Sequence, residues 1–285
     1  MVRVPSRRAF LHRVKPIEEQ VILITGATDG LGRGLAAELA AAGATVLVHG
    51  RDEERGAEVV RELGDRARFY RADLASLDEV CRLAGEVLAR EPRLDALVNN
   101  AGIGTTLPGD GERLESRDGH ELRFAVNYLA TFALTRLLLP RLIESAPARI
   151  VNVSSAGQAP IDFDDVMLER HYSGVQAYCQ SKLAQIMLTF DLAEELRDRG
   201  VTATALHPAT YMPTKMVVHA GTSPVSTLEE GVEATRRLVA YPELDGVTGA
   251  YFNRTTEARA DAQAYDEEAR RRLRQLSVRL TGVPD

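Results

Sequence analysis

The sequence predicts an α/β fold in which a doubly wound parallel sheet of about seven strands carries helices on both faces. Three observations lead there. From residue 21 onward, short β-rich apolar runs alternate with longer segments of helical spacing. The strand candidates are apolar throughout, as strands buried on both faces must be. A glycine-rich turn joins the first strand to the first helix.

In chain order, 21–25 is the first strand and 31–42 an Ala-rich helix stopped by Gly43. A strand over 45–49 leads to a helix over 53–63, closed by Gly64. A third strand (67–71) precedes a helix over 76–90, which stops before Pro92. The fourth strand is 94–99. A long helix spans 121–145, with Pro140 expected to kink or end it. Strand 148–154, helix 175–199 and strand 201–206 follow, then helix 228–240 and a short strand at 249–252.

Two segments break the rhythm. Residues 156–174 and 208–227 are long connections after strands, at the sheet end where such folds bind ligands. Residues 265–280 read as a terminal helix, with Ala269, Leu273, Leu276 and Leu280 on one face, acids leading and arginines following. No internal repeat or low-complexity linker is seen, so the organisation is an extension over 1–19 and one domain over 20–285.

Composition narrows the function. Of 285 residues, 45% are hydrophobic and 27% charged, enough for a buried core, and the net charge of −6 argues against a nucleic-acid partner. No uncharged apolar run nears the roughly 18 residues of a membrane span. The longest, 131–140, is interrupted by Arg136. The basic start (Arg3, Arg7, Arg8, Arg13, Lys15) lacks a secretory signal's apolar run, so a cytoplasmic protein is expected. Cys81 and Cys179 are too few for a disulfide framework and read as reduced thiols. Without a secretory signal, the glycosylation patterns at Asn152 and Asn253 are discounted. His171, His207 and His219 are not spaced as metal ligands, and no zinc is expected. No Gly-x-Ser-x-Gly elbow surrounds Ser155, which disfavours a hydrolase.

The first turn reads Thr25-Gly26-Ala27-Thr28-Asp29-Gly30-Leu31-Gly32. Between a buried strand and a helix, it suits a pyrophosphate at the positive helix N-terminus. No Gly-Lys-Ser/Thr follows, which excludes a Walker loop. At the end of the second strand, Gly50 stands where an NAD site has a carboxylate, and Arg51 follows. A charged hydrogen bond from Arg51 to a 2′-phosphate is worth about 1.5–3 kcal/mol, roughly tenfold to hundredfold in selectivity for NADP. The other reading leaves Arg51 a solvated charge and Asp52 a helix cap.

Tyr178 and Lys182 lie at i and i+4, on one face of a predicted helix. A free phenol has pKa about 10, and a nearby ammonium is expected to bring it toward neutrality. Ser154 and Ser155 close the fifth strand, Asn99-Asn100-Ala101-Gly102 closes the fourth, and Asn127 lies on the next helix.

With these residues in order, 20–252 resembles the short-chain dehydrogenase/reductase family. The match includes TGATDGLG, Asp73-Leu74, NNAG, Asn127, VNVSS and YCQSK. The resemblance implies a single Rossmann-type domain holding NADP, with NAD the less expected cofactor. Tyr178 would be the general acid/base. Lys182 would bind the nicotinamide ribose and lower the Tyr178 pKa, and Ser155 would hold the substrate oxygen. Asn127 would support a water chain through Lys182. Gly26, Thr28, Asp29, Gly30, Leu31, Gly32, Leu74, Ala101, Gly102 and Pro208 would line the cofactor. Asp73 would contact adenine, and Asn99 would stabilise the sheet beside the cofactor.

The TGxxxGxG spacing, the 22 residues between Ser155 and Tyr178, and YCQSKLA resemble the retinol-dehydrogenase-like branch. That implies NADPH-dependent reduction of a lipophilic or polycyclic ketone or aldehyde. An NAD-dependent alcohol dehydrogenase and a non-catalytic dinucleotide-binding regulator are the alternatives. The family's Pro-Gly is here Pro208-Ala209, so either Thr210 or Thr214 takes the role of seating the carboxamide. Met212, Met216, Val217 and Val218 fit a lipophilic pocket or core contacts of a folded loop equally well. Apolar surplus on the helices around 122–139 and 177–196 suggests pairing into a homodimer or homotetramer, unless the terminal helix or the N-terminal extension blocks those surfaces.

Overall fold

The computed structural model describes residues 14–106 and 112–285. Arg3, Arg7, Arg8 and Arg13 of the expected extension lie outside the described residues. Lys15 lies within them and is tied to the fold, its Nζ 2.9 Å from Asp95.

β1 (Val21–Ile24), β2 (Thr45–Gly50), β3 (Ala67–Arg71), β4 (Ala96–Asn99), β5 (Ala148–Val153), β6 (Val201–His207), β7 (Ala250–Asn253) and β8 (Thr256–Ala258) form one sheet in the order 3-2-1-4-5-6-7-8. The first seven are parallel. β8 runs antiparallel to β7, with Asn253 opposite Thr256. This extra edge strand was not expected from Thr256-Glu257-Ala258, which carries no apolar run.

Alternate strand residues enter separate cores, which is why these strands are apolar at every position. Leu23, Leu47, Leu97 and Ile150 join the core on one face. Ile22, Ile24, Val46, Val48, Val98 and Val151 join the core on the other. α1 (Gly30–Ala41), α2 (Glu53–Leu63) and, later in the chain, α8 (Leu228–Ala240) cover the second face. The first core packs against α3 (Leu77–Arg90), α5 (Ala130–Glu144), α6 (Gly174–Glu195) and α9 (Glu267–Thr281). Side-chain caps from Asp52, Ser76, Ser173, Thr227 and Asp266 start five of these helices.

The long helix expected over 121–145 is composite. α4 (Leu122–Phe124) passes into a π turn over Ala125–Leu129 and then into α5. It runs through Pro140, whose ring is exposed, to Glu144. Leu122–Glu144 is long and apolar enough to cross a membrane, although Arg123 and Arg136 interrupt it and most of it is buried in the fold.

The apolar surplus of α5 and α6 is covered from within the chain. Residues 180–190 of α6 are all buried. α9 lies against α6 through Arg270, 2.8 Å from both Asp191 and Glu194, and Phe190 packs on Tyr265 at 5.2 Å. Arg136 of α5 bonds Glu195 at 2.7 Å and Asp285 at 2.6 Å. Part of the apolar surface of α5 and α6 is thus covered by the chain's own C-terminal segment.

Candidate active site

The strand order reverses between β1 and β4, and the turns after these strands flank one crevice. They are stapled together. Thr25 Oγ1 accepts from the backbone N–H groups of Asn100 (2.9 Å) and Ala101 (3.0 Å), while Asn100 Nδ2 donates to the Thr25 carbonyl at 2.8 Å. A Cβ on Gly26, whose φ is +65°, would stand 2.9 Å from the Ala101 Cα; one on Gly32 would stand 2.3 Å from the Gly26 carbonyl oxygen. The turn closes only with glycine at both positions. It leaves the first N–H groups of α1, including those of Leu31 and Gly32, at a helix N-terminus suited to a dinucleotide pyrophosphate.

His49 holds this turn from below and was not singled out in the sequence. Its Nδ1 accepts from Gly26 N–H at 3.1 Å and its Nε2 donates to the Ala72 carbonyl at 3.1 Å. Burial pushes its pKa down to about 4, so it is neutral.

Around the crevice, the expected cofactor residues divide. Thr28 packs on Gly50, where a Cβ would lie 2.5 Å from the Thr28 Cγ2, so a carboxylate side chain has no room at position 50. Arg51 is exposed and forms no ion pair among the described residues. Asp29 uses its carboxylate to cap Gly30 N–H at 2.8 Å and to meet Lys215 at 2.5 Å. Burial raises its pKa, but these bonds outweigh it and hold it below the usual range. Asp73 Oδ1 caps Ala75 at 3.1 Å, and the Leu74 side chain belongs to the core. Asn99 Nδ2 bridges Asn152 (2.8 Å) and Thr135 (3.0 Å), bracing the sheet as expected.

The loop after β6 separates its threonines and methionines. Beyond the buried Pro208, Thr210 turns its hydroxyl to His207 Nε2 at 2.9 Å, whereas Thr214 sits over the glycine turn, its Cγ2 3.2 Å from a Cβ placed on Gly30. Of the two, Thr214 is the one placed against the glycine turn. Met212 is a core contact against α8. Met216 and Val218, on the short helix α7 (Lys215–His219), are exposed, and Met216 leans over Gly104.

Ser155, Tyr178 and Lys182 converge. A Cβ on Gly157 would lie 3.5 Å from the Ser155 Oγ and 3.8 Å from the Tyr178 Cε1. Lys182 Nζ is 5.8 Å from the Tyr178 ring centre and reaches Gly102, 3.4 Å from a Cβ placed there. Tyr251 of β7, unforeseen from sequence, donates to the Ser155 carbonyl at 3.0 Å, and Ser154 donates to the Lys182 carbonyl at 2.7 Å. These bonds separate the two serines: Ser154 ties β5 to α6, and Ser155 faces the phenol.

The electrostatics depart from expectation. Burial raises the Tyr178 pKa above that of a free phenol, with the Ser155 hydrogen bond opposing it. Burial also lowers the pKa of Lys182, to about 7. The Asn127 side chain is fully committed within the fold. It is held by Ile103, accepting from its N–H at 2.8 Å and donating to its carbonyl at 3.1 Å, and it donates to Ser181 Oγ at 2.9 Å. The buried Arg123 braces the rim, donating to the carbonyls of Gly104 (2.7 Å) and Thr105 (3.1 Å).

A doubly wound sheet with a glycine-lined cradle and a Ser–Tyr–Lys cluster at its switch point defines a dinucleotide-dependent oxidoreductase. Comparison with known proteins agrees. The short chain dehydrogenase family profile matches residues 20–223, and the chain belongs to that family. Retinol dehydrogenase 13 of Mus musculus is 37% identical over 290 residues, covering 94% of this chain and 85% of the relative. Among solved structures, an uncharacterised protein from Mycobacterium paratuberculosis has a TM-score of 0.77 at 30% identity, covering 94% of this chain and 96% of the other. A 3-ketoacyl-(acyl-carrier-protein) reductase from Brucella melitensis, complexed with NADH, has a TM-score of 0.67 at 26% identity, covering 83% and 97%. The chain is thus a short-chain dehydrogenase similar to retinol dehydrogenases.

Proposed function

We propose that this chain is an NADP-dependent oxidoreductase that reduces a lipophilic ketone or aldehyde to its alcohol. The observation that carries the reading is the convergence of Ser155, Tyr178 and Lys182 beside the glycine cradle. Gly26, Gly30 and Gly32 would admit the pyrophosphate, with Asp73 toward the adenine end and Gly102 and Lys182 toward the nicotinamide end. When bound, the dinucleotide supplies the hydride. The protein's own part is proton placement: the Ser155 hydroxyl holds the carbonyl oxygen, and the Tyr178 phenol passes its proton to that oxygen. A phenol whose pKa lies above the free value stays protonated at neutral pH, which supports the reductive direction.

Two features favour NADP. Thr28 excludes a ribose-binding acid at position 50, and Arg51 is exposed without an ion pair among the described residues. The NADH-bound Brucella relative means that fold alone does not choose between the dinucleotides. Support for a lipophilic substrate comes from the exposed Tyr211, Met216 and Val218 beside the crevice and from the relatives named retinol dehydrogenases.

The test is NADPH oxidation across a panel of aromatic ketones, aldehydes, steroids and retinoids, followed by Tyr178→Phe on the best substrate. Positioned proton transfer is worth about 10²–10⁴-fold, and turnover should fall by that much with cofactor affinity nearly intact. Near-wild-type turnover in Tyr178→Phe would remove the catalytic assignment.

A further inference from the structure

Lys182 sits in an environment that the proposed reaction does not by itself explain. It is 4% exposed, and burial is the one cause acting on its pKa. Its Nζ donates to the Val153 carbonyl at 2.9 Å and to Gln185 Oε1 at 3.0 Å. Beyond Gln185 the contacts continue: its Nε2 donates to Thr131 Oγ1 at 3.4 Å, and Thr131 Oγ1 donates to the Asn127 carbonyl at 2.9 Å. Gln185 and Asn127 are fully buried and Thr131 is 5% exposed.

Every member of this chain has one allowed direction. An ammonium only donates, so the carboxamide oxygen must face Lys182 and the NH2 must face away. The Thr131 hydroxyl has one proton, which goes to a carbonyl that only accepts, leaving its lone pairs for Gln185. The chain ends on the π turn, whose register sets where that carbonyl points. Gln185 is further anchored by Thr189, which donates to its backbone carbonyl at 2.8 Å and accepts from Asn152 at 2.8 Å.

We propose that Gln185 is a positioning residue for Lys182, holding its ammonium beside the Tyr178 ring through a directed chain to the π turn. The inference rests on the oxidoreductase reading only for its bearing on turnover. The titratable groups facing the cluster are Tyr178 and Cys179 on α6, Tyr251 on β7 and Tyr211 in the loop after β6. None of them supplies positive charge, and in their neutral forms they add no negative charge either. The local acceptors that favour the charged lysine are therefore the Val153 carbonyl and the Gln185 carboxamide, and of these only the carboxamide can be removed by a side-chain substitution.

Ligand-free unfolding by urea between pH 6 and 9 tests this without cofactor or substrate. Lys182 has a folded pKa of about 7, below that of the unfolded chain, so its ammonium is present in the fold only toward low pH. The destabilisation caused by Gln185→Leu should be largest at pH 6 and shrink about fivefold in the unfolding constant by pH 9, as a fall of about one pH unit in the Lys182 pKa gives. In a Lys182→Met background the effect of Gln185→Leu should not vary with pH. If Gln185→Leu does not fold, Gln185→Asn is read in the same way. In the active enzyme, the alkaline limb of kcat/KM should move down by about one pH unit in Gln185→Leu. A destabilisation equal at all pH values, or unchanged when Lys182 is absent, overturns the inference even if the enzyme reduces carbonyls. The expected pH dependence in a protein that turns over no carbonyl overturns the functional reading alone.

Discussion

Mild acid should destabilise this protein through two neutral histidines. His49 and His207 are 2% and 8% exposed, and burial moves the pKa of each down to about 4; for His207 the Arg254 charge adds to the shift. An unfolded histidine titrates near 6.5, so between the two values the unfolded chain binds more protons than the folded one. Stability from these groups is complete above pH 6.5 and is lost as pH falls toward 4. At pH 5 the loss is about 2 kcal/mol per histidine, or about 4 kcal/mol together, against a total stability of about 5–15 kcal/mol. The pH drop also has a local effect. Protonated His49 Nδ1 donates, so it can no longer accept from Gly26 N–H, and cofactor affinity should fall over the same interval. Urea unfolding at pH 7.5, 6 and 5 gives the measurement, with His207→Asn expected to remove about half of the fall. Stability that stays level from pH 7 to 5, or an unaltered slope in His207→Asn, would refute the reasoning.

Three other outcomes are expected. Arg51→Ala should weaken NADPH binding about tenfold or more while leaving NADH affinity unchanged, as calorimetric titration of both will report. Gly32→Ala forces a Cβ to 2.3 Å from the Gly26 carbonyl oxygen and should lower cofactor affinity more than about tenfold, whereas Gly85→Ala, which meets nothing within 4 Å, should bind normally. Light scattering of the chain at micromolar concentration should give a monomer, and truncation before Glu267 should cause self-association by uncovering α6; a dimer of the longer chain paired through α5 and α6 would contradict this.

What was legible in the sequence follows from the range of the interactions concerned. The helices at Glu53–Leu63 and Leu228–Ala240 match their expected bounds because caps and periodicity are local. The strand runs were legible because both sheet faces are buried, so every position is apolar. The π turn was not, since it is a change in hydrogen-bond register that residue type does not mark. β8 was missed because a polar edge strand carries no burial signal. His49, Arg123, Tyr251 and Gln185 act through partners distant in sequence or at generic helical spacing, so nothing near them marked their roles. The fall in the Lys182 pKa was hidden for a related reason: spacing placed Lys182 near Tyr178, but burial, a tertiary property, decided its charge. The packing of α9 on α6 was not marked either, because the Arg270 ion pairs to Asp191 and Glu194 join segments distant in sequence.

The sheet that divides the interior also divides the labour of adaptation. One core, built on Ile22, Val46 and Leu35, supports the glycine cradle, while the other, built on Leu97, Phe132 and Leu183, seats α6, the helix that carries Tyr178 and Lys182. Because successive residues of β1 point into opposite compartments, repacking one leaves the side chains of the other in place. Selection, or an engineer, is thus free to repack one core while leaving the side chains of the other in place. Compensating substitutions should then cluster by compartment and not by distance along the chain.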